Sequence, residues 1–130
     1  MKTEADVHNF ERLVVQLQAL QAEISQLAKK SPNDGLNKFK LKLVNTVLVA
    51  ANELFVGNFK PVEGFELFDE DDLPTNSDVA MVLTLYIEQS ERFRSANVAW
   101  DAANRRWCYT ANKKLSNVEA RPPTKIGSAK

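Results

Sequence analysis

The stretch of sequence that decides the fold is residues 78–115, DVAMVLTLYIEQSERFRSANVAWDAANRRWCYTANKKL. It contains neither Pro nor Gly, and a series of positions three or four residues apart runs from Val79 through Trp100 to Trp107. Most of these positions are apolar or aromatic, but Ser90, Asn97 and Asn104 interrupt the series. This spacing is typical of one face of an α-helix. Thr75 with Asp78 three residues later gives a signal for an N-terminal cap. The stretch therefore predicts a long third helix.

A helix over this whole stretch would be longer than the helix that precedes it. At 1.5 Å per residue it would reach roughly 57 Å, against roughly 35 Å for the second helix. Either the third helix kinks near Ser95–Asn97 and folds back as a fourth helix, or its end overhangs the bundle. An overhang would expose Trp100, Trp107 and Tyr109 to water, and pairing with a second copy of the chain would bury them.

The first predicted helix covers residues 3–30. Apolar residues follow a heptad-like pattern there, and the segment has no Gly or Pro. Thr3 and Asp6 offer an N-terminal cap, and Ser31-Pro32 ends the run. The segment predicts one continuous helix.

The second predicted helix runs from about Asn33 or Asp34 to Val56. Its apolar residues form a broad face, with polar residues that include Asn45 and Asn52 largely on the other side. Several β-branched residues would also suit a strand, but the three- and four-residue spacing favours a helix. The three segments together predict an all-α fold, an antiparallel bundle of three long helices whose third helix may split into two. One domain would cover residues 1–118, and residues 119–130 would be a disordered basic tail.

A long acidic loop, residues 57–76, connects the second and third predicted helices. Gly and Pro recur in it, and aromatic side chains alternate with carboxylates. Loops of about twenty residues are uncommon in compact domains unless they have a function. We therefore predict a docking surface in this loop, formed by Phe65, Phe68, Asp69, Glu70, Asp71 and Asp72.

The charge is distributed unevenly along the chain, although the formal net charge is zero. Residues 92–130 hold nine Lys or Arg and two Asp or Glu, giving +7, so residues 1–91 carry −7. The basic part also contains both tryptophans, and it predicts a second partner surface formed by Trp100, Trp107, Tyr109, Arg105 and Arg106. Because the two tryptophans are seven residues apart, a packing seam between helices is favoured over base stacking on a nucleic acid.

The usual signals for catalysis and for metal binding are missing from the sequence. His8 and Cys108 lie in different segments, and each is the only residue of its type. Starting at Asp69, an EF-hand loop would need Gly at its sixth position, where Pro74 stands. We therefore expect no catalytic residues, no metal and no cofactor. The lack of a long apolar segment predicts no membrane insertion, and the single cysteine predicts a reducing, cytoplasmic location.

The sequence thus predicts a non-enzymatic, self-associating helical protein, a dimer by preference. It would act as an adaptor, inhibitor or assembly component that binds another macromolecule. The alternative is a small nucleic-acid-binding or DNA-mimic accessory protein that uses the basic C-terminal segment or the acidic loop.

Overall fold

The computed structural model describes residues 1–124, and within them the chain forms three α-helices, one 3₁₀ turn and a three-stranded antiparallel sheet. The elements are α1 (Glu4–Lys30), α2 (Lys38–Leu54), the 3₁₀ turn (Gly57–Phe59), α3 (Asn76–Ala96), β1 (Val98–Asp101), β2 (Arg106–Ala111) and β3 (Lys114–Glu119). Strand β2 lies between β1 and β3. The fold is therefore mixed α and β, and the predicted all-α helical bundle is wrong.

The beginnings of the first and third helices are as the sequence predicts. Thr3 is the N-cap of α1, where its hydroxyl accepts from the backbone N–H of Asp6 at 3.1 Å. The Thr75 hydroxyl accepts in the same way from the Asp78 N–H at 3.1 Å and starts α3. Helix α2 begins later than predicted, at Lys38 after its own N-cap residue. Side-chain caps of this kind satisfy N–H groups that have no partner inside the helix.

The third helix ends at Ala96, close to the place where a kink was considered, but the chain continues as strands. Asn97 caps this end, because its side-chain N–H donates to the Phe93 carbonyl at 2.8 Å. The Asn97 carbonyl then accepts from the Thr110 N–H of β2 at 2.8 Å. The predicted coiled-coil seam through Trp100 and Trp107 is therefore wrong, because both residues lie in β-strands and not on a helix.

A buried aromatic cluster joins the sheet to the helices. Phe10 of α1 lies 5.2 Å from Phe93 of α3 and 6.2 Å from Tyr109 of β2, measured between ring centroids. Phe55, which follows α2, completes the cluster at 5.4 Å from Phe93. Such offset and edge-to-face pairs add to the free energy of burying the rings. The sheet is thereby fixed beside the N-terminal half of α1 and the C-terminal end of α3.

The chain returns along α3 after β3. Arg94 of α3 is only 4% exposed, and its guanidinium donates to the carbonyl oxygens of Arg121 at 2.8 Å and Pro122 at 2.9 Å. It also pairs with Glu91 at 2.7 Å. Of the basic tail predicted over 119–130, Glu119 is the last residue of β3, and the Ala120 N–H donates to the Trp107 carbonyl of β2 at 3.0 Å. Residues 121–124 lie along α3, and residues 125–130 fall outside the described part of the chain.

Candidate protein-binding surfaces

The hairpin of β1 and β2 sets the two tryptophans against each other. Trp100 is directly opposite Trp107 in the strand register, and their rings pack edge to face at 5.7 Å with an interplanar angle of 67°. The neighbouring pair Val98 and Tyr109 shares this face, since side chains alternate along a strand. Tyr109 is buried against Phe10, whereas Trp107 is half-buried and Trp100 is 49% exposed. The aromatic face of the hairpin therefore extends from the core out into solvent.

The hairpin turn is held by one carboxylate. Asp101 accepts from the side-chain amide of Asn104 at 2.9 Å, and from the backbone N–H groups of Ala103 at 3.1 Å and Asn104 at 3.3 Å. These hydrogen bonds, first the one from the Asn104 side chain, hold the pKa of Asp101 below its usual range. Arg105 follows in the left-handed region with φ 55°, which completes the reversal. The tip that carries Trp100 is thus a fixed turn.

The arginines of the predicted basic surface are not on the tryptophan face. Arg106 is opposite Asp101 in the register, on the other face of the hairpin, and its Nε lies 3.9 Å from the Asp101 carboxylate. Arg105 is exposed at the turn. Lys113 and Lys114 lie at the far end of β2, about 20 Å away at 3.3 Å per strand residue. The exposed cations are spread over the sheet and do not form one stripe beside the indole rings.

Residues 65–73, here called the acidic ledge, lie along α2. Asn45 holds them in place, since its side-chain N–H donates to the Phe68 carbonyl at 2.9 Å and its side-chain oxygen accepts from the Phe68 N–H at 3.0 Å. Asn52 donates to the ledge backbone in the same way at 2.8 Å. The rings of Phe65 and Phe68 pack edge to face at 4.9 Å and rest on the hydrophobic core. The loop therefore packs on the helices.

The carboxylates of the ledge point outward. Asp69, Asp71 and Asp72 are exposed, and Glu70 is half-buried. The one ion pair that these four make within residues 1–124 joins Asp71 to Lys38 at 3.7 Å, with both side chains largely in water. An exposed pair of this kind is worth about 0–1 kcal/mol. The negative charge of the ledge is therefore available to a partner.

The two predicted surfaces lie at opposite ends of α3. The end of the ledge is next to the start of α3, where the Pro74 carbonyl accepts from the Leu36 N–H at 2.8 Å. The tryptophan hairpin follows the other end of this helix, which has 21 residues and is about 30 Å long. The structure brings together the residues of the acidic surface and, separately, the aromatic residues of the basic surface, but it places Arg106 on the other face of the hairpin. It does not bring the acidic and the basic surface together.

Two groups of polar residues that matter to these surfaces are missed by the sequence prediction. Asn45 was assigned to the polar side of its helix but is buried and anchors the ledge. Arg94 was counted in the positive charge of residues 92–130, but it is buried beside Glu91. The side-chain hydrogen bonds from Arg94 are the main reason that the pKa of Glu91 falls to about 2. The signal for the second group was present, because Glu91 and Arg94 are three residues apart on one helix.

Three further findings concern the class of function. Among residues 1–124 no group of three or more His, Cys, Asp or Glu side chains is placed to hold a metal ion. No α-helix in that part of the chain is both long enough and apolar enough to cross a membrane. Comparisons with protein-family models, with curated proteins and with solved structures found no match.

Proposed function

We propose that the protein is a non-enzymatic binding module that engages another protein through the tip of the β1–β2 hairpin. It would serve as an adaptor, an inhibitor or an assembly component in a reducing, cytoplasmic compartment. The observation that carries this proposal is Trp100, an indole ring that is 49% exposed at the tip of a hairpin. Large aromatic side chains supply much of the binding free energy at protein interfaces once a partner desolvates them.

The ring of Trp100 is already positioned for such a contact. Its edge-to-face packing on Trp107 and the hydrogen-bonded turn at Asp101 restrict both the side chain and the backbone before binding. A group that is fixed beforehand loses less conformational entropy when it binds. Arg105 lies exposed at the rim of this tip. We expect a partner with an apolar pocket bordered by carboxylates.

The acidic ledge is the second docking surface in this proposal. Leu67 and Leu73 are exposed there among the carboxylates, so that the ledge combines apolar contact area with negative charge. A partner for the ledge would present a basic and partly apolar surface. Charge of this kind directs orientation and association rate more than it increases affinity.

The arrangement favours a protein over a nucleic acid as the partner. Single-stranded nucleic acids are bound by aromatic side chains that lie in a groove lined by cations. In this molecule Arg106 lies on the face away from Trp100 and is paired with Asp101. The lysines of the second hairpin are about 20 Å from the indole rings. The basic residues that are close together in the sequence therefore do not form a basic groove in the structure.

The test is capture of partners by the tagged protein, with Trp100→Ala compared with Met81→Ala. Met81 is a matched control, because it is 62% exposed on α3 and lies away from the hairpin. We expect Trp100→Ala to lose at least about 90% of a specifically captured protein, a change of tenfold or more in affinity. We expect Met81→Ala to capture the same protein as the wild type does. Equal capture by the two variants, or capture that nuclease treatment abolishes, would contradict the proposal.

A further inference from the structure

We infer that a second copy of this chain docks on the outer face of α2, so that Phe39 of each copy fills a groove between α1 and α2 of the other. This contact goes beyond the proposed function, because it uses neither the tryptophan hairpin nor the acidic ledge. It assigns self-association to one surface of the molecule and binding of another protein to a different one.

The first observation is an apolar stripe on the solvent side of α2. Phe39 is 71% exposed and Leu43 is 44% exposed. Exposed Ala50 continues the stripe, and so do Val47 and Leu54, which are half-buried and also pack on the core. Steps of three and four residues keep these side chains on one helix face. None of these five side chains is fully buried. Exposed apolar side chains that line up in this way mark interaction surfaces more often than isolated ones do.

The second observation is a groove at the C-terminal end of the same stripe. It has a volume of about 590 Å³ and lies between the N-terminal half of α1 and the last two turns of α2. Phe10 and Leu13 contribute to its wall from α1, and Ala50 and Leu54 contribute from α2. A phenyl ring from another molecule would find apolar contacts on both walls.

The spacing of the exposed ring and the groove suits a two-fold symmetric contact. Phe39 and Leu54, which lines the groove, are fifteen residues apart, which is close to four helical turns and about 22 Å along α2. A two-fold axis that passes beside Thr46 and Val47 would pair two α2 helices antiparallel. Both rings would then reach both grooves at once, as an isologous interface requires.

The charges beside the stripe agree with this pairing. Lys42 follows Phe39 by three residues, and Glu53 follows Ala50 by three residues, so both lie on the same flank of the stripe. The two-fold axis brings Lys42 of one copy beside Glu53 of the partner subunit, and the reverse pair forms as well. Neither side chain makes an ion pair within residues 1–124. Two complementary pairs would thus form without breaking existing ones.

The expected dimer is reversible. The outer face of a 17-residue helix is about 25 Å long and about 10 Å wide. Such a face is smaller than the roughly 800 Å² per partner that standard stable interfaces bury. The monomer has its own aromatic core, so it does not need the second copy in order to fold. We therefore expect a dimer whose population rises with protein concentration.

Sedimentation velocity over a range of concentrations tests this contact with Phe39→Asp. We expect this variant to raise the dissociation constant of the dimer at least about tenfold, because the apolar contacts of the ring with Leu13, Ala50 and Leu54 would be lost. Val15→Asp is the matched control, since Val15 is 63% exposed on the outer side of α1, and it should change nothing. Trp100→Ala should also leave the dimer unchanged. A wild-type protein that stays monomeric, or a dimer that survives Phe39→Asp or disappears in Trp100→Ala, would overturn the inference.

Reversal of the flanking charges tests the orientation of the two copies. Lys42→Glu and Glu53→Lys should each weaken the dimer at low salt, because each places like charges opposite each other. The double variant should restore it, since both pairs form again with opposite polarity. A double variant that is no tighter than the single variants would refute the antiparallel arrangement.

Discussion

The acidic ledge and the C-terminal segment 121–124, here called the strap, are both irregular stretches that lie along a helix. They are anchored by different chemistry. Neutral amides hold the ledge, above all the two hydrogen bonds between Asn45 and Phe68. A buried ion pair holds the strap, because Arg94 binds its carbonyl oxygens while paired with Glu91. The carboxylates of the ledge therefore remain exposed to a partner, whereas the charges of Arg94 and Glu91 hold the strap on α3.

This difference changes what the charge of the chain means. The guanidinium of Arg94 is buried and paired with Glu91, and the charge of Arg106 is partly neutralised by Asp101. The basic end consequently offers less free charge than the sequence indicates. The carboxylates of Asp69 and Asp72 are exposed, and neither has an ion-pair partner among residues 1–124. The acidic end thus keeps the charges of Asp69 and Asp72 exposed and unpaired within that part of the chain.

Glu91→Gln should give the largest loss of stability. The change leaves the buried Arg94 guanidinium without its carboxylate, and breaking a buried pair from one side costs about 3 kcal/mol. Urea unfolding at neutral pH measures the difference. Glu88→Gln, an exposed position on the same helix, is the control and should stay within about 0.5 kcal/mol of wild type. A similar loss in both variants would show that the ion pair does not anchor the strap.

Acid should loosen the strap before it affects the ledge anchor. The pKa of Glu91 is about 2 in the folded protein, below the 4.5 of an unperturbed glutamate. A lowered pKa means that the carboxylate stabilises the fold fully above about pH 5 and that this contribution is lost as the pH falls towards 2. The contribution should be about 2 kcal/mol, since Glu91 is partly exposed. The free energy of unfolding, measured from pH 6 to pH 3, should fall less steeply in Glu91→Gln than in the wild type. Equal slopes in the two proteins would contradict this assignment.

Asn45→Ala should release the ledge. The variant leaves the Phe68 N–H and carbonyl without their partners, which costs about 1–2 kcal/mol. Hydrogen exchange should speed up in residues 66–72 but not in the strap. Asn9→Ala, at an exposed position of α1, is the matched control. Unchanged exchange in the ledge would mean that the amide does not anchor it.

Neutralising the ledge should have the smallest effect on stability. Replacement of Asp69, Glu70, Asp71 and Asp72 by Asn or Gln removes only exposed or half-buried charge, so the free energy of unfolding should change by less than about 1 kcal/mol. Partner choice or binding orientation should change instead. A loss of stability as large as that of Trp107→Ala would show that the carboxylates hold the fold together.

The helices could be predicted from the sequence because their signals are local. The caps at Thr3 and Thr75 and the three- and four-residue spacing of apolar side chains specify where α1 and α3 begin. The partner of Asn45 could not be predicted, since it lies 23 residues away in the chain. A polar residue on an otherwise apolar face has no local signal that tells a buried anchor from a solvated side chain.

The sheet was not predicted because the spacing of the two tryptophans fits both a helix and a β-hairpin. Trp100 and Trp107 are seven residues apart, which fits a heptad, but they are also equally far from the centre of a turn at 103–104. Both hairpin turns place non-glycine residues in the left-handed region, at Arg105, Asn112 and Lys113, so the usual glycine was absent. Asn112 was the available turn signal, because asparagine tolerates this conformation better than most residues do.

The most direct test of the account places a photo-reactive amino acid at position 100 and, in a second variant, at position 81, in cells that produce the protein. If the tip of the hairpin is the surface that meets another protein, irradiation should cross-link position 100 to a discrete second polypeptide, and position 81 should give little or no product. Equal products from the two positions, or none from position 100, would contradict the central claim that the exposed indole marks a protein-binding surface.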